Sequence, residues 1–591
     1  MSLTAILNSA VTGLNSSQAA LLTTATNIAN INTPGFAREK VEFETLVVNG
    51  DTAGVQISDI RRVVDEFLLS ELRSTISDEK MFATGDVFHA RLQALFGTPD
   101  ENSSLSGKID AIFEGVGNLP VDPSSVARRV GVLNDMKVFA ETVSRLSEQV
   151  QALRKDANFR VGIAVTTANE AIQEIAELNP LIATGIITGD TPNGLLERRD
   201  QAVRSLSENL DISTRVDNNG FLIVGTRNGL PLITPDSYFQ LDYTTEGTVT
   251  SSSRFLQIEA KRYDPVNKIL DPIGIAVDHE LQSGELRALL DMRDTTLPNI
   301  AFELGELAAK MVDQLNRVHN ENTTIPAPQI MTGRDTGLLG TDAHGFTGTA
   351  IFAIHNADGT VFQNVSIDFD TIGGTVNNMM TAMNTALNPV AGVSFVNGVM
   401  TVQAFTPGRS IAVVQDPTTP SDRGGRGFAH FFGLNDLMVA DSPAHFDTGL
   451  VGTDQHGFTA GQNITLQLLS PSNEVAVEHV EIIAGSTLND ILASLNAPGA
   501  LGNFGTFSLD INGALVFTPQ PGFKNYRIDV VSDSTLRGGT GVSMGSLFGL
   551  GDSIKMDRAK DVKVIDDIYN NPANLALYRV DLSALPGEKA L

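Results

Sequence analysis

The amino-acid sequence predicts a multidomain α+β protein: an N-terminal inner helix, a rod-like domain of long helices with small β-hairpins, and two tandem mixed α/β, strand-rich modules. Three observations predict it. The first 37 residues contain no Lys, Arg, Asp or Glu and repeat apolar residues every seven positions. From Val126 to Asn179 there is no proline, and apolar residues recur at helical spacing. Beyond residue 330 one sequence pattern occurs twice. At 591 residues the chain is too long for one core, and the expected domains are 1–45, 46–330, 331–445, 446–560 and 561–591.

Composition excludes several functions. A net charge of −28 with no basic cluster speaks against nucleic acid and anionic membrane surfaces as partners. There is no Cys, hence no disulfide and no thiolate metal site. No apolar run reaches the roughly 18 residues of a spanning helix, so membrane insertion is not expected. The N-terminus lacks the basic region of a cleavable signal peptide, and export would need another route.

The first element follows from Leu7, Leu14, Leu21 and Ile28, with Ala10, Ser17, Thr24 and Ile31 three positions after each. This is an a/d seam with small residues in the second position. The other faces carry Asn8, Ser9, Asn15, Ser16, Gln18, Thr23 and Asn27. Uncharged faces suit a helix surrounded by other helices, because unpaired charges there would be costly to bury. Alone, a helix so rich in Ser, Thr and Asn is marginal, and residues 2–36 are expected to be mobile. The helix ends where Asn30 and Asn32 favour turns, Pro34 drives Thr33 out of helical geometry, Gly35 tolerates positive φ, and Phe36 supplies an aromatic anchor.

The second element is a long helix from Val126 to Asn179 with Leu133, Met136, Ala140, Val143, Val150 and Leu153 on one face. A later helix, with Ile300, Leu304, Leu307, Met311, Leu315 and Val318, is expected to pack antiparallel to it. Between them, Asn219-Gly220 and Asn228-Gly229 are hairpin turns in alternating apolar stretches.

The third element is the repeat. "GTDAHGFTG" begins at Gly340 and "GTDQHGFTA" at Gly452, 112 positions later; "GGTVNNMM" at Gly373 and "GSTLNDIL" at Gly485 keep the same offset. "RGG" at Arg423 and Arg537, and "FGL" at Phe432 and Phe548, follow in the same order. Each copy reads as strands with one short helix. The copies are expected to bulge from one insertion point, so that deleting residues 450–551 leaves the rest folded. His344 and His456 each follow an Asp by two residues, too few ligands for a metal site, and are read as structural turn residues. "RGGRG" at Arg423 lacks the Lys-Ser/Thr of a phosphate loop and is read as a loop. No catalytic, cofactor-binding or metal residue emerges, and an enzyme is not expected.

"NIANINTPGF" (Asn27–Phe36) after an uncharged heptad helix resembles the N-terminal motif of the bacterial flagellar axial family of rod, hook and hook-associated proteins. "GKIDAIFEGVGNLPVDPSSVARRVGVL" (Gly107–Leu133), "PNGLLERRDQAVRSLSENLDI" (Pro192–Ile212) and "SGELRALLDMRDTTLP" (Ser283–Pro298) resemble its hook-associated junction members. The resemblance implies a structural adaptor that joins hook to filament in the extracellular axial tube and is secreted through the flagellar export apparatus. It implies as partners other copies in a ring, the hook subunit, the next hook-associated protein and an export chaperone. It implies an assembly interface at Leu7, Leu14, Leu21, Ile28, Asn27, Asn30, Asn32, Pro34, Gly35 and Phe36. Family members end in a second heptad helix that pairs with the first. Here "NPANLALYRVDLSALPGEKAL" is read as the segment returning to the helical domain, with that C-terminal helix absent. Two other readings stand beside this one. One is a hook or rod subunit; the other is an exported adhesin-like protein that binds through the tandem modules.

Overall fold

The computed structural model describes residues 3–33, 35–48, 51–99, 101–188, 192–471 and 474–590. It is a mixed α+β protein of long helices and small antiparallel sheets. The chain starts with α1 (Leu3–Ala29), β1 (Glu39–Val48) and β2 (Asp51–Arg62). Four helices follow: α2 (Glu66–Phe96), α3 (Leu105–Asn118), α4 (Val126–Thr188) and α5 (Asn193–Asn209). Strands β3 (Ile212–Val216), β4 (Leu222–Thr226), β5 (Pro231–Ile233), β6 (Tyr238–Asp242), β7 (Glu259–Asp264), β8 (Ile269–Leu270) and β9 (Ile275–Ala276) form one antiparallel sheet. Helix α6 (Glu285–Asp291) then leads through a π-turn, Met292–Thr296, into α7 (Leu297–Asn320).

Two compact units emerge. The first comprises Met1–Arg91, Leu153–Val249 and Ser253–Thr296; the second comprises Leu92–Ala152, Thr250–Ser252 and Leu297–Leu591. Among the described residues no helix is long and apolar enough to cross a membrane.

Helix α4 is longer than its proline-free stretch, because it continues through Pro180 to Thr188. A proline inside a helix removes one backbone hydrogen bond. Tertiary packing on both sides of it holds the helix together: Leu178 and Ile182 are buried, and the buried Asn179 is fixed by hydrogen bonds. Leu133, Met136, Ala140, Val143, Val150 and Leu153 are all buried, as the spacing required.

For α7 the spacing misidentified the inner face. Of the six residues singled out only Leu304 is buried; Leu307 and Val318 are exposed. The inner face is Ala301, Leu304, Gly305, Ala308, Val312 and Asn316. Small residues occupy it because backbone comes close: a Cβ at Gly305 would lie 2.1 Å from the Lys555 carbonyl oxygen. Leu304, Ala308 and Val312 join the N-terminal half of α4 and residues 562–575 in one hydrophobic cluster. Arg129 of α4 reinforces it by donating to the Pro572 and Ala573 carbonyls at 3.3 and 3.1 Å.

Asparagine is a poor helix former, yet six of them in helices or helix caps perform one task. Each uses its amide to satisfy the N–H and C=O of a neighbouring segment. Asn169 clamps Leu241, and Asn179 clamps Leu222. Asn316 holds Leu437 and Met438; Asn384 and Asn496 clamp Val393 and Phe507. The sixth is Asn27, described below.

From Thr349 in the first copy and Asn463 in the second, the repeats fold with the same element order. The first has β10 (Ile330–Asp335), β11 (Thr349–His355), β12 (Val361–Asp368), α8 (Val376–Leu387), β13 (Ala391–Val396), β14 (Val399–Ala404), β15 (Ser410–Gln415) and α9 (Phe428–Phe432). After β16 (Met438–Val439), the second has β17 (Asn463–Leu469), β18 (Val475–Ile482), α10 (Leu488–Leu495), β19 (Gly505–Leu509), β20 (Leu515–Pro519), β21 (Arg527–Asp533) and α11 (Met544–Phe548). Among the described residues β10 of the first copy has no counterpart strand in the second. The equivalent strands β11 and β17 are central, in the orders β12-β11-β15 and β18-β17-β21. Thr375 and Thr487 begin the equivalent helices with capping boxes. The two His residues are wired alike. Phe346 N–H donates to His344 Nδ1 at 3.2 Å, and Phe458 N–H to His456 Nδ1 at 3.0 Å. Each Nε2 then donates to a carbonyl, that of Ile372 or Gly485. With both ring nitrogens engaged, these imidazoles shape turns.

The copies share one hydrophobic cluster, which runs from Phe346, Phe352 and Phe428 to Phe458, Leu466 and Phe548. The expectation of a removable second copy therefore fails: deletion would strip apolar surface from the first. The buried arginines of the two "RGG" loops cross between copies. Arg423 donates to the Ala343 carbonyl in its own copy and to Thr448 O before the second. Arg537 reciprocates, binding His456 O in its own copy and Gly337 O and Asp342 in the first.

At the end of β11, His355 is fully buried opposite Ser410, and among the described residues neither its ring nitrogens nor Ser410 Oγ finds a hydrogen-bond partner. An unsatisfied buried polar group costs about 1–3 kcal/mol. His355→Leu with Ser410→Ala is expected to raise the urea midpoint of unfolding; a lowered midpoint would mean these groups are satisfied in solution.

Candidate assembly interface

Helix α1 carries no charge, and it lies against its own chain through its polar side. Ser16 and Thr23 are buried, while Leu7, Leu14, Leu21 and Ile28 are 64, 60, 70 and 67 % exposed. The polar side faces the hairpin β1–β2. Ser16 Oγ donates to Val55 O and Val55 N–H to Thr12 Oγ1, each at 3.4 Å. Asn27 clamps Glu39: its Nδ2 donates to the Glu39 carbonyl and its Oδ1 accepts from the Glu39 N–H, both at 2.8 Å. Burial in this helix is thus inverted: hydroxyls and amides point inward and the leucine seam points outward. The expectation of a mobile residue 2–36 segment is replaced by a helix docked on a hairpin.

The turn after α1 is built from local contacts. Asn30 Nδ2 donates to Thr26 O at 3.0 Å, and Thr33 Oγ1 to Asn30 Oδ1 at 3.2 Å. Asn32 is exposed, and Pro34 lies outside the described residues. Gly35 has φ +83°, a conformation that favours glycine, and a Cβ there would lie 3.2 Å from Gln201 Cγ of α5. Phe36 is half-buried, its N–H bonded to Thr33 O at 3.2 Å. Beyond it the hairpin base is anchored on α5: Asn193 Nδ2 donates to Glu39 Oε1 and Ile60 O at 2.8 and 2.9 Å, and Arg62 pairs with Asp200.

These elements enclose an open groove of about 680 Å³ lined by Thr23, Asn27, Ile31, Phe36, Val41 and Phe43 among others. The structure thus brings Asn27, Ile28, Asn30 and Phe36 to one groove and aligns Leu7, Leu14 and Leu21 along the exposed seam. The sequence did not reveal the role of the hairpin; the only available signal was its alternating Val41, Phe43 and charged residues. Among the described residues no group of three or more His, Asp or Glu could hold a metal ion.

Removing the Asn27 clamp orphans the N–H and C=O of Glu39. Asn27→Ala is expected to weaken docking of the C-terminal end of α1 by about 1–3 kcal/mol. The check is limited proteolysis: faster cleavage between residues 27 and 39 than in the wild type. An unchanged rate would mean that the clamp contributes nothing.

Comparison with known proteins finds the following similarities. The family described as "Flagellar hook-associated protein FlgK helical domain" matches residues 89–329, and "Flagella basal body rod protein" matches residues 7–36. Flagellar hook-associated protein 1 of Salmonella typhimurium is 26% identical over 332 residues, covering 54% of this chain and 57% of that protein. Its counterpart in Escherichia coli (strain K12) is 24% identical over 424 residues, 70% of this chain and 71% of that one. The Bacillus subtilis (strain 168) counterpart is 23% identical over 435 residues, 69% and 82%. The solved structure of the flagellar hook junction protein FlgK from Burkholderia pseudomallei aligns with 83% of this chain and 90% of that one, at 16% identity and a TM-score of 0.39. The chain thus spans 57% of the length of the Salmonella relative. Residues 89–329 thus match the helical domain of the FlgK family behind a rod-type N-terminal motif, and the chain is similar to flagellar hook-associated proteins.

Proposed function

We propose that this chain is a structural subunit of the extracellular bacterial flagellum, joining hook to filament by polymerising into the axial tube, without enzymatic activity. The observation that carries the reading is the inverted burial of α1, which satisfies its polar side on the hairpin and leaves an apolar seam free. Leu7, Leu14, Leu21 and Ile28 would meet neighbouring helices in the ring. Asn27, Asn30, Asn32, Pro34, Gly35 and Phe36 would fix the turn that presents them. Other copies of the chain, the hook subunit and the next hook-associated protein would be its axial partners, and a chaperone would deliver it to the flagellar export apparatus. A hook or rod subunit would share the N-terminal motif; the helical domain at residues 89–329 favours the hook-associated role.

Leu14 is the test. Burying a leucine in the assembly is worth roughly 1.5–3 kcal/mol, and Leu14→Asp forfeits that and adds the cost of an unpaired buried carboxylate. In the isolated chain position 14 faces water. The variant is expected to melt within a degree or two of the wild type while failing to restore filaments in cells lacking the native protein. Normal filaments would refute the role of the seam.

A further inference from the structure

Between the two repeats, residues 440–449 form neither helix nor strand. They wall one side of a partly open cavity of about 290 Å³ in the second unit, lined by Val312, Phe431, Met438, Phe446, Val542 and Leu547 among others. Three arginines tie this strap down. Arg558 donates to Pro443 O at 3.1 Å, stacks over the Phe446 ring at 4.1 Å and pairs with Glu306 of α7. Arg426 pairs with Asp447 at 2.7 Å and with Asp313 of α7 at 3.3 Å. Arg334 of β10 pairs with Asp436 at 2.8 Å, and its Nη2 lies 3.2 Å from His445 Nε2.

The last contact, which Arg334 Nη2 shares with the His430 and Phe431 carbonyls at 2.6 and 3.3 Å, suits one protonation state. A guanidinium only donates, so His445 Nε2 accepts, and the imidazole is neutral with its proton on Nδ1. That Nδ1 is buried and, among the described residues, without a partner. The charged and titratable groups around His445 are Arg334 and Asp335 from β10, Arg426 from its loop and His430 from α9. Asp313 of α7, Asp436, and Asp441 and Asp447 of the strap complete them. Asp313 is already engaged by Arg426 and by His430 Nε2 at 3.1 Å, and Asp436 by Arg334, so neither carboxylate is free for an imidazolium. Protonated, His445 could no longer accept from Arg334 and would become a further cation beside two arginines.

We propose that residues 440–449 are a proton-released strap: neutral His445 holds it closed through Arg334, and protonation of His445 frees it and widens the cavity it walls. Burial, with Arg334 and Arg426 acting in the same direction, holds the imidazole well below its ordinary range in the closed state. Once the strap opens, His445 titrates normally, near 6.5. The opening constant then rises by about tenfold for each pH unit below that value, until the closed-state imidazole also protonates.

The test is amide hydrogen exchange of the full chain between pH 8 and pH 5, corrected for the intrinsic pH dependence of exchange. Protection of the strap, read at the Gly449 N–H that donates to Asn512 O, is expected to fall by up to tenfold per pH unit below about 6.5, while the α7 amides stay the better protected at every pH. His445→Gln, whose side-chain oxygen still accepts from Arg334, is expected to abolish this slope. An equal slope in His445→Gln, or none in the wild type, would overturn the proposal. Should that variant not fold, Asp447→Asn serves: the acid-dependent slope persists and strap protection at pH 8 is lower than in the wild type, whereas unchanged protection at pH 8 would show that the strap is not held by these ties.

Discussion

Arg537→Ala is expected to destabilise the second unit by about 3–5 kcal/mol, the cost of breaking a buried pair and leaving one charge behind. Arg537 and Asp342 are both 0 % exposed, with Nη1 and Nη2 each 2.9 Å from a carboxylate oxygen. The remaining guanidinium donors reach Gly337 O at 2.5 Å, His456 O at 2.9 Å and Gln455 O at 3.3 Å. Loss of the side chain therefore strands a buried carboxylate and several buried carbonyls, and opens a hole between the copies. A second substitution separates these effects. Asp342→Leu in the Arg537→Met background removes both charges and refills volume, so the double variant should be more stable than Arg537→Ala. Equilibrium urea unfolding at pH 7.5 measures both. A loss below about 1 kcal/mol in Arg537→Ala would mean that the copies are held together without this pair.

How much of this was legible in the sequence depends on the kind of signal. Long-range periodicity was: the α4 face from Leu133 to Leu153 is buried, because a long helix averages its environment over many turns. In α7 the inner face is marked by Ala301, Gly305 and Ala308, and a search for large apolar residues selects the wrong side when backbone approaches closely. The repeat was legible as sequence, but the joining of its copies was not. Nothing in "RGG" indicates that Arg537 satisfies Asp342 of the other copy, since that pairing exists only once both folds are formed. The clamping asparagines were hidden for the same reason. Asn169, Asn179 and Asn316 look like unfavourable helix residues until the backbone they satisfy is in place. In α1 the heptad seam was legible as a pattern. Its exposure was not, because the hairpin binds the opposite, hydroxyl-rich side.

Acid should unfold the second unit before the first. His319 of α7 is fully enclosed: its Nδ1 donates to Asn435 O at 2.6 Å, and its Nε2 accepts from the Ala576 N–H at 2.8 Å. Burial, only partly offset by the Asn435 carbonyl and Asp436, lowers its pKa to about 4. Protonation would also turn Nε2 from acceptor into donor and orphan the Ala576 N–H. In the unfolded chain the imidazole titrates near 6.5, so as pH falls through that value the unfolded state takes up the proton first. The stability that His319 contributes is fully present above about pH 6.5 and is lost progressively down to about pH 4, for a total of about 3 kcal/mol. His355 and His445 are shifted downward by burial too, and act in the same direction. In the first unit the sign reverses. Burial raises the carboxyls of Asp211, Asp278 and Asp291, so there the folded state takes up protons more readily than the unfolded chain as pH falls toward the carboxylate range. Asp135 and Asp335 shift upward in the second unit, but both have access to water and oppose the histidines weakly. Urea unfolding followed by hydrogen exchange at pH 7.5 and pH 5 should therefore show α7 and the repeats losing protection at lower urea in acid, while the C-terminal half of α4 and α5 shift less. His319→Gln should remove a share of the acid loss without altering the pH response of α5. Equal acid sensitivity of both units would show that the buried histidines do not set the acid limit of this fold.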